Sequence, residues 1–366
     1  MPEIILKNVT KRFGKFVAVD NLSLDIAGND FVTLLGPSGC GKTTTLRMIA
    51  GLETPTEGAI LIDGKAVFDA DQGINVPPNR RDIGFLFQNY ALWPHMTVTK
   101  NIAFGLENMK WSKASIQGRV EELLEMLRIR PFAARYPSEL SGGQQQRVAI
   151  ARTLAPGPKV LFMDEPLSNL DAKLRMEMRA ELKRLHRDTD STFVYVTHDQ
   201  LEAMTLSTRV CIMESGRLKQ CAPPLLMYNR PANLFVADFM GSPTMNFLNG
   251  TAEISGREAR LNIGGLRGAL EAEAEIEFGG GEVVVGIRPE HVRIGDAGVE
   301  ATVYSTLPAG METTLKLDVN GMALTAVVFG DVDYPVDSKV RFSFSKTAVL
   351  FDKASGRTVA IGKFTL

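Results

Sequence analysis

Short apolar runs alternate with amphipathic segments along roughly the first 236 residues. FVTLL (31–35), VLFMD (160–164) and TFVYVT (192–197) have the length and the β-branched and aromatic content of buried strands. The run KTTTLRMIA, which follows the first of them, predicts a helix that Gly51 ends. This alternation predicts an α/β fold, with a mostly parallel sheet that carries helices on its faces.

The segment DAKLRMEMRAELKRLHRD lies between the second and third of these strands. Its apolar residues recur at helical spacing, which predicts an amphipathic helix. Asp171 is placed to cap its N-terminus. The predicted buried stripe consists of Leu174, Met178, Leu182 and Leu185.

Residues 89–150 have a different pattern, with helical periodicity and little strand character. Val120, Leu123, Leu124 and Leu127 recur at the spacing of one helix face. We therefore predict a helical subdomain over about 89–150, inserted into the α/β core.

The pattern changes again beyond residue 236, where the Gly-, Pro- and Asn-rich stretch MGSPTMNFLNG marks a boundary. Asn320-Gly321 between TTLKLDV and MALTAVV predicts a hairpin with a type I′ turn, and KVRFSF (339–344) alternates as a strand does. We predict two domains, an α/β domain over 1–236 and an all-β barrel or sandwich over 237–366.

Composition and charge narrow the class of protein. The chain is 45% hydrophobic and 23% charged, with 41 basic and 42 acidic residues, so no basic surface for nucleic acid is expected from the totals. Cys40, Cys211 and Cys221 show no C-x-x-C spacing, which argues against a zinc site or disulfide framework. Neither a signal peptide nor a membrane-spanning stretch is visible, so a membrane connection is expected to run through a partner.

A phosphate-binding loop lies between the first buried strand and the helix after it. GPSGCGKT (36–43) satisfies G-x-x-x-x-G-K-[ST] in the required strand–loop–helix context. We expect Lys42 to reach the β- and γ-phosphates of a nucleotide and the Thr43 hydroxyl to ligate Mg²⁺. Backbone amides at the helix N-terminus favour the same anion.

Two carboxylates end the strand VLFMD. We expect Asp164 to hold Mg²⁺, and Glu165 to polarise the attacking water. Acidic residues also simply terminate strands, so the assignment depends on the phosphate loop being present.

His198 follows the strand TFVYVT, at the carboxyl edge where ligands of open α/β sheets bind. An imidazole there could reach the γ-phosphate. The alternative is a structural histidine with no ligand.

LSGGQ (140–144) presents two adjacent glycines, Gly142 and Gly143, at the start of an amphipathic run. Amides at such a helix N-terminus are suited to an anion, although the phosphate loop already supplies one such site.

Taken together, these motifs resemble those of ABC-type ATPases. Six motifs occur in the order typical of that family: the phosphate loop, Gln88 in FLFQNYALWPHMTV, LSGGQ, MDEP (163–166), SNLD (168–171) and His198. The resemblance covers roughly residues 3–236. Members of this family work as head-to-tail dimers, in which LSGGQ of one subunit closes over ATP held by the other. The resemblance therefore implies that Ser141 and Gly143 contact the γ-phosphate in trans.

The resemblance also implies a set of residues around ATP and Mg²⁺. Phe13 would stack on adenine, unless it is only a hydrophobic residue at a strand turn, and Gln88 would sense Mg²⁺ and the attacking water. Catalysis would fall to Glu165, His198 and Gln88, and the metal to Thr43, Gln88 and Asp164. The nucleotide-binding residues would be Phe13, Gly36, Pro37, Ser38, Gly39, Cys40, Gly41, Lys42, Thr43, Thr44, Ser141, Gly142, Gly143, Gln144 and Asp171.

Cys40 lies within the phosphate loop, at the N-terminus of the predicted helix. A thiol in that position usually has a lowered pKa. We expect no catalytic role for Cys40, and we expect its alkylation to block ATP sterically.

The second half resembles one group of these ATPases. GSPTMNFL (241–248) and VGIRPEHVRI (285–294) look like the C-terminal OB-like, or TOBE, domain of carbohydrate-importer ATPases of the maltose and glycerol-phosphate systems. YSTLPAGMETTL departs from the usual Leu-Gly-x-Glu pattern there, which puts any inherited regulatory contact in doubt. A sugar, a polyol such as glycerol, or glycerol phosphate is the implied solute; sulfate, iron or polyamine importers are the alternative.

The resemblance implies partners and a location as well. The partners would be a second ATPase subunit, identical or a close paralogue, two multi-span permeases and, indirectly, an extracytoplasmic solute-binding protein. The chain would then be peripheral at the cytoplasmic face of a bacterial inner membrane. A soluble ABC protein acting on nucleic acid is a weaker alternative, because the chain lacks a second cassette and a basic patch. A P-loop kinase or GTPase does not explain LSGGQ.

Overall fold

A computed structural model describes residues 3–330, 332–345 and 347–366. The chain divides into two compact units, the first ending at Pro224 and the second spanning Leu225–Leu366. The boundary predicted between residues 236 and 237, which separates an α/β domain from an all-β domain, remains a prediction. In the described ranges, no helix combines the length and the apolar character needed to cross a bilayer.

The first unit contains two sheets and the helices around them. Its strands are β1 (Ile4–Phe13), β2 (Phe16–Ile26), β3 (Phe31–Leu35), β4 (Glu57–Ile62), β5 (Lys65–Asp69), β6 (Ile74–Asn75), β7 (Ile83–Leu86), β8 (Val160–Asp164), β9 (Thr192–Thr197), β10 (Arg209–Glu214) and β11 (Arg217–Ala222). Its helices are α1 (Lys42–Ala50), α2 (Val98–Asn108), α3 (Lys113–Met126), α4 (Gly142–Leu154), α5 (Ala172–Asp188) and α6 (Gln200–Leu206).

The central sheet has the strand order β11-β10-β3-β9-β8-β7. Its strands pair in parallel except for the β10–β11 hairpin. Successive residues of β9 face opposite cores: Phe193 and Tyr195 pack with the helices α2–α5, whereas Val194 and Val196 pack on the side of α1. Both faces are covered, which explains why β3, β8 and β9 are buried throughout. The α/β prediction and the bounds of these three strands are confirmed.

The second sheet of this unit is antiparallel, in the order β2-β1-β4-β5-β6, and the sequence did not predict it. Register shifts interrupt the β1–β2 pairing, and Asn8 and Asn21 adopt positive φ there. Such irregularities shift side chains between faces, so the two-residue alternation that signals a strand is broken.

The predicted helices are confirmed. α2, α3 and most of α4 lie within the segment 89–150, and Val120, Leu123, Leu124 and Leu127 are buried together. α5 begins after Asp171, whose side chain accepts a hydrogen bond from the Leu174 amide at 3.0 Å. Gly51, in the left-handed region, ends α1.

The second unit is mostly β. Helix α7 (Pro224–Asn229) begins at the last residue of the first unit and otherwise lies in the second. The second unit also contains α8 (Leu234–Phe239), β12 (Asn246–Ser255), β13 (Glu258–Ile263), β14 (Leu266–Ala272), β15 (Gly281–Ile287), β16 (Val292–Gly295), β17 (Val299–Pro308), β18 (Glu312–Val319), β19 (Met322–Phe329), β20 (Lys339–Phe344), β21 (Thr347–Asp352) and β22 (Thr358–Thr365). The strands β12-β13-β14-β22-β21-β15 close a barrel, and β16-β20-β17-β18-β19 form a five-stranded sheet. The predicted hairpin is confirmed: Val319 pairs with Met322, and Asn320 and Gly321 both have positive φ.

The motif GIRPEH ties the two helices of the second unit to its barrel. The buried Arg288 guanidinium lies 3.9 Å from the ring centroid of Tyr228 and donates to the carbonyls of Tyr228, Ala237 and Met240. The Tyr228 hydroxyl donates to Glu290 at 2.7 Å. Burial and this hydrogen bond raise the pKa of Tyr228 to about 12. The motif therefore has a structural explanation within this unit.

Candidate nucleotide-binding and hydrolysis site

The candidate functional residues of the first unit converge because of the strand order. The phosphate loop follows β3, Glu165 follows β8 and His198 follows β9, and these strands are neighbours in the order β3-β9-β8. Parallel strands end at the same edge of a sheet, so the three loops meet there. A cleft of about 350 Å³ at this edge is lined by Phe13, Phe16, Ala18, Ser38, Gly39, Gly41, Lys42, Thr43, Thr44 and Glu165.

Glycine is required at two positions of the phosphate loop. Gly41 has a φ of 101°, and a Cβ there would lie 2.5 Å from the Ala18 carbonyl oxygen. A Cβ on Gly36, whose φ is 157°, would collide with the Met213 carbonyl oxygen. The loop is thus packed against β2 and β10 so closely that side chains at these positions do not fit.

Lys42 closes the loop on itself. Its ammonium donates to the carbonyl oxygens of Gly36 at 2.8 Å and Pro37 at 2.9 Å, and the residue is buried. These bonds satisfy a charge that would otherwise be costly to bury. They also hold the ammonium at the loop, the place where a lysine of this motif is expected to meet phosphate.

The prediction of a lowered thiol pKa at Cys40 is wrong. Cys40 is buried, and burial raises the pKa of its thiol. The Lys42 ammonium, whose Nζ lies 3.8 Å from the sulfur, opposes this effect but does not outweigh it. Desolvation of the thiolate is the larger effect here.

Thr43 and Asp164 form an oxygen-donor pair. The Thr43 hydroxyl donates to Oδ1 of Asp164 at 2.9 Å. Burial raises the pKa of Asp164, although this hydrogen bond and Arg47 act in the opposite direction. A hydroxyl beside one carboxylate matches the hard oxygen ligands of Mg²⁺, which usually keeps several waters and takes only one or two carboxylates. The residues present therefore fit that ion.

Glu165 and His198 are in contact. Nδ1 of His198 lies 3.2 Å from Oε2 of Glu165, while the imidazole is largely exposed. Glu165 has a positive φ of 45°, and its amide donates to the Val196 carbonyl at 3.0 Å. This hydrogen bond ties the end of β8 to β9 and turns Glu165 toward the cleft that it lines.

Two aromatic side chains border the cleft where the sequence indicated one. Phe13 and Phe16 are register partners at the end of the β1–β2 hairpin and are 48% and 61% exposed. The Lys11 ammonium lies 4.7 Å from the Phe13 ring centroid. Phe16 is not among the candidate residues of the cleft that were predicted from the sequence. The feature that could have indicated it is the second aromatic residue of the tight turn F-G-K-F.

Gln88 is bonded to the segment that follows Glu165. Its Nε2 donates to the Ser168 hydroxyl at 3.2 Å, and Nδ2 of Asn169 donates to the Gln88 carbonyl at 3.3 Å. Ser168 in turn donates to the Glu165 carbonyl at 2.9 Å. A short chain of hydrogen bonds therefore joins Gln88 to Glu165.

The LSGGQ residues form a capped helix start. The Ser141 hydroxyl accepts the Gln144 amide, and the Gln144 side chain accepts the Ser141 amide at 2.9 Å, which is a capping box. A Cβ on Gly143 would lie 2.6 Å from Leu174, so glycine permits close packing on α5. None of residues 141–144 lines the cleft at the phosphate loop.

Comparison with known proteins agrees with this architecture. A family model described as ABC transporter matches residues 19–168, one described as MalK OB fold domain matches 241–292, and one described as TOBE domain matches 285–351. The trehalose/maltose import ATP-binding protein MalK of Thermococcus litoralis is 46% identical over 98% of this chain and 100% of its own length. The spermidine/putrescine import ATP-binding protein PotA of Rubrobacter xylanophilus is 50% identical over 84% of this chain and 81% of its own.

A solved structure matches the first part of the chain. It is the dimeric post-hydrolysis state of the ATP-binding cassette MJ0796 bound to ADP and Pi, with a TM-score of 0.53 and 36% identity, covering 60% of this chain and 98% of that one. The fold and the site thus define a P-loop ATPase of the ABC type. The chain belongs to the ATP-binding proteins of ABC transporters, in the group of importer ATPases that carry MalK-type OB and TOBE domains. It is an ATPase coupled to import.

Proposed function

We propose that this chain energises a membrane importer for a carbohydrate, a polyol such as glycerol, or glycerol phosphate. The observation that carries this proposal is the second unit, whose residues 241–292 match the MalK OB fold domain. The MalK relative, named for trehalose and maltose import, aligns along its whole length with 98% of the chain.

A polyamine importer is the second candidate. The PotA relative, named for spermidine and putrescine, has the higher identity of 50%, but the match covers 84% of the chain. We favour the carbohydrate class because the MalK match covers more of both chains and because residues 241–292 match the MalK OB fold domain. An importer for sulfate or iron would be a further outcome of the test below.

ATP is the nucleotide of this family, and we assign its contacts to the cleft at the phosphate loop. Loop amides and the Lys42 ammonium would hold the phosphates, and Phe13 would stack on adenine. The exposure of Phe13 and its place in the cleft lining support this assignment. Lys42 would exchange its bonds to the loop carbonyls for bonds to phosphate oxygens.

We assign Mg²⁺ to Thr43, Asp164 and Gln88. The ion, when bound, neutralises charge on the phosphate oxygens. The hydroxyl and the buried carboxylate of the first two residues are the donors that support the assignment.

We assign the general base to Glu165 and a γ-phosphate contact to His198. A carboxylate that lines the cleft can orient a water molecule and accept its proton. The contact from His198 holds that carboxylate in one orientation, because the imidazole lies against Oε2. His198 is exposed enough to face a ligand as well.

A second copy of the chain, or a close paralogue, would complete the site. The amides of Gly142 and Gly143 lie in the first turn of α4, where backbone donors have no partner within the helix. We propose that they close over ATP held by the partner, together with Ser141 and Gln144. ATP would then hold the dimer together, and hydrolysis would release it.

The other partners follow from the importer class. We propose two multi-span permeases, through which the chain lies peripherally at the cytoplasmic face of the inner membrane, and an extracytoplasmic solute-binding protein. No nucleic-acid partner is expected, since basic and acidic residues number 41 and 42.

Capture of the tagged chain from its native membranes in gentle detergent tests the proposal. We expect mass spectrometry to find two multi-span permeases, and the cognate binding protein to bind a sugar, polyol or glycerol phosphate. A binding protein specific for a polyamine, sulfate or iron would overturn the substrate class. Ribosomal or nucleic-acid proteins without a membrane partner would overturn the importer assignment.

A further inference from the structure

We infer that Arg175 is a positioning residue for His198. Its guanidinium joins the loop that carries the imidazole to residues 168–171, the segment that contacts Gln88. The inference rests on the proposed role of His198 in hydrolysis, and the experiment below separates the two.

Arg175 contacts two segments that are distant in sequence. Its Nη2 donates to the Leu170 carbonyl at 3.1 Å, and its Nη1 donates to Oδ2 of Asp199 at 3.5 Å. Its Nε lies 3.9 Å from Oε1 of Glu202. The planar, multi-donor guanidinium allows one side chain to hold both segments at once.

Glu202 anchors the strand end on one side of His198. The residue is buried, and its Oε2 accepts the Thr197 hydroxyl at 2.7 Å and the Tyr195 hydroxyl at 2.8 Å. Its Oε1 faces Arg175. A buried carboxylate is tolerated only with such partners, so the arrangement fixes Thr197 and Glu202 together.

Asp199 anchors the other side of His198. Its amide donates to the Thr197 hydroxyl at 3.0 Å, and its Oδ1 accepts the amides of Leu201 at 2.8 Å and Glu202 at 3.1 Å. The backbone on both sides of His198 is therefore held by this network. The imidazole itself is 61% exposed, so packing does not fix it, and the network decides how it meets Glu165.

The Leu170 end of Arg175 connects to the rest of the site. Leu170 belongs to residues 168–171, in which Ser168 accepts a hydrogen bond from Gln88 and donates to the Glu165 carbonyl. Any shift of this segment is transmitted through Arg175 to the backbone next to His198. The residue thus acts through His198 and does not touch the reacting atoms.

Steady-state hydrolysis by the full chain tests the kinetic consequence. We expect Arg175→Met to lower kcat about 10- to 100-fold, because a small misplacement of a reacting group is costly, and to leave KM for ATP unchanged. Lys183→Met is the matched control, since Lys183 also joins α5 to α6, through the Thr205 carbonyl at 2.9 Å, without touching Leu170 or Asp199. We expect the control to retain kcat.

Imidazole NMR separates positioning from general destabilisation. The chain has four histidines, and His198→Ala identifies the signals of His198 in ¹⁵N-histidine-labelled protein. We expect Arg175→Met to shift the His198 signals while those of His95, His186 and His291 stay in place. Lys183→Met should leave all four unchanged.

Two results would overturn the inference: His198 signals that do not move in Arg175→Met, or a wild-type kcat in Arg175→Met when His198→Ala lowers kcat. If Arg175→Met does not fold, Glu202→Gln takes its place, because the amide keeps an acceptor for the two hydroxyls but loses the charge facing Arg175. Wild-type hydrolysis by His198→Ala would instead overturn the proposed role of His198. A selective shift of the His198 signals in Arg175→Met would still support the positioning contact.

Discussion

Nδ1 of His198 lies 3.2 Å from Oε2 of Glu165, although the two residues follow different strands of the central sheet. Glu165 lines the cleft at the phosphate loop, and His198 stands beside it with most of its ring exposed. One carboxylate oxygen is thus oriented by the imidazole, which leaves the other available to a water molecule. This pairing motivates the first prediction.

Glu165→Gln should bind ATP and hydrolyse it about 10²–10⁴-fold more slowly, because the amide cannot accept the proton of the attacking water. The variant should also accumulate as an ATP-bound dimer. Phosphate release and size-exclusion chromatography with ATP measure the two effects. Glu57→Gln, at an exposed site on β4, should match the wild type. Undiminished turnover in Glu165→Gln would remove Glu165 from the role of base.

A composite site predicts complementation between two inactive variants. Ser141→Arg should spare ATP binding by the monomer but stop hydrolysis, and Lys42→Ala should lose ATP binding. The two variants can be co-expressed with different tags and the mixed dimer purified on both. In that dimer one composite site is intact, because the Ser141→Arg subunit supplies Lys42 and the Lys42→Ala subunit supplies Ser141. We expect hydrolysis well above that of either variant alone. If the mixed dimer is as inactive as its parents, the two motifs act within one chain.

Phe13→Ala should weaken ATP binding by about 1–3 kcal/mol, the usual contribution of stacking between an aromatic side chain and a base. Phe13→Tyr should retain affinity because the ring face is kept. Equilibrium binding of a fluorescent ATP analogue to Phe13→Ala, Phe13→Tyr and Phe16→Ala measures this. A larger loss in Phe16→Ala than in Phe13→Ala would assign the adenine contact to Phe16.

The three cysteines should differ in reactivity. Cys211 and Cys221 are register partners on β10 and β11 with sulfurs 2.7 Å apart, and the hydrogen bond from Cys211 lowers the pKa of Cys221. Burial raises the pKa of Cys40. Because the thiolate is the reactive form, iodoacetamide should modify Cys221 first as pH rises, and Cys40 only at higher pH.

Peptide mass spectrometry across a pH series measures this order. Cys211→Ala removes the donor to Cys221 and should move the labelling of Cys221 to higher pH. Bound ATP should protect Cys40 and leave Cys221 unaffected. Equal labelling of Cys40 and Cys221 at every pH would contradict the prediction.

Much of the architecture was predictable from local pattern. The strands 31–35, 160–164 and 192–197 are continuous apolar runs because both faces of the central sheet are covered. Asp171 marks the start of α5 because its side chain accepts a backbone amide there. Gly51 and Asn320-Gly321 mark a helix end and a turn because they adopt a left-handed backbone. Such features depend on a few neighbouring residues, so the sequence alone determines them.

Other features depend on residues far apart in the chain. The sheet of β1, β2, β4, β5 and β6 was missed because register shifts break the alternation of β1 and β2. The pKa of Cys40 was predicted in the wrong direction, since the helix N-terminus is visible in sequence but the burial around the thiol is not. The position of Phe16 opposite Phe13, and that of Cys211 opposite Cys221, are set by the register of two hairpins.

The chemistry of the site is already present in the order of the amino acids: a phosphate loop, two carboxylates, a histidine and a glycine-led helix, in an order typical of one family. Which of these groups meet depends on the folded chain. β9 lies between β3 and β8 although it follows both in the chain, and this order brings His198 to Glu165 and Thr43 to Asp164. Strand pairing is set by burial over the whole sheet, and no local periodicity encodes it.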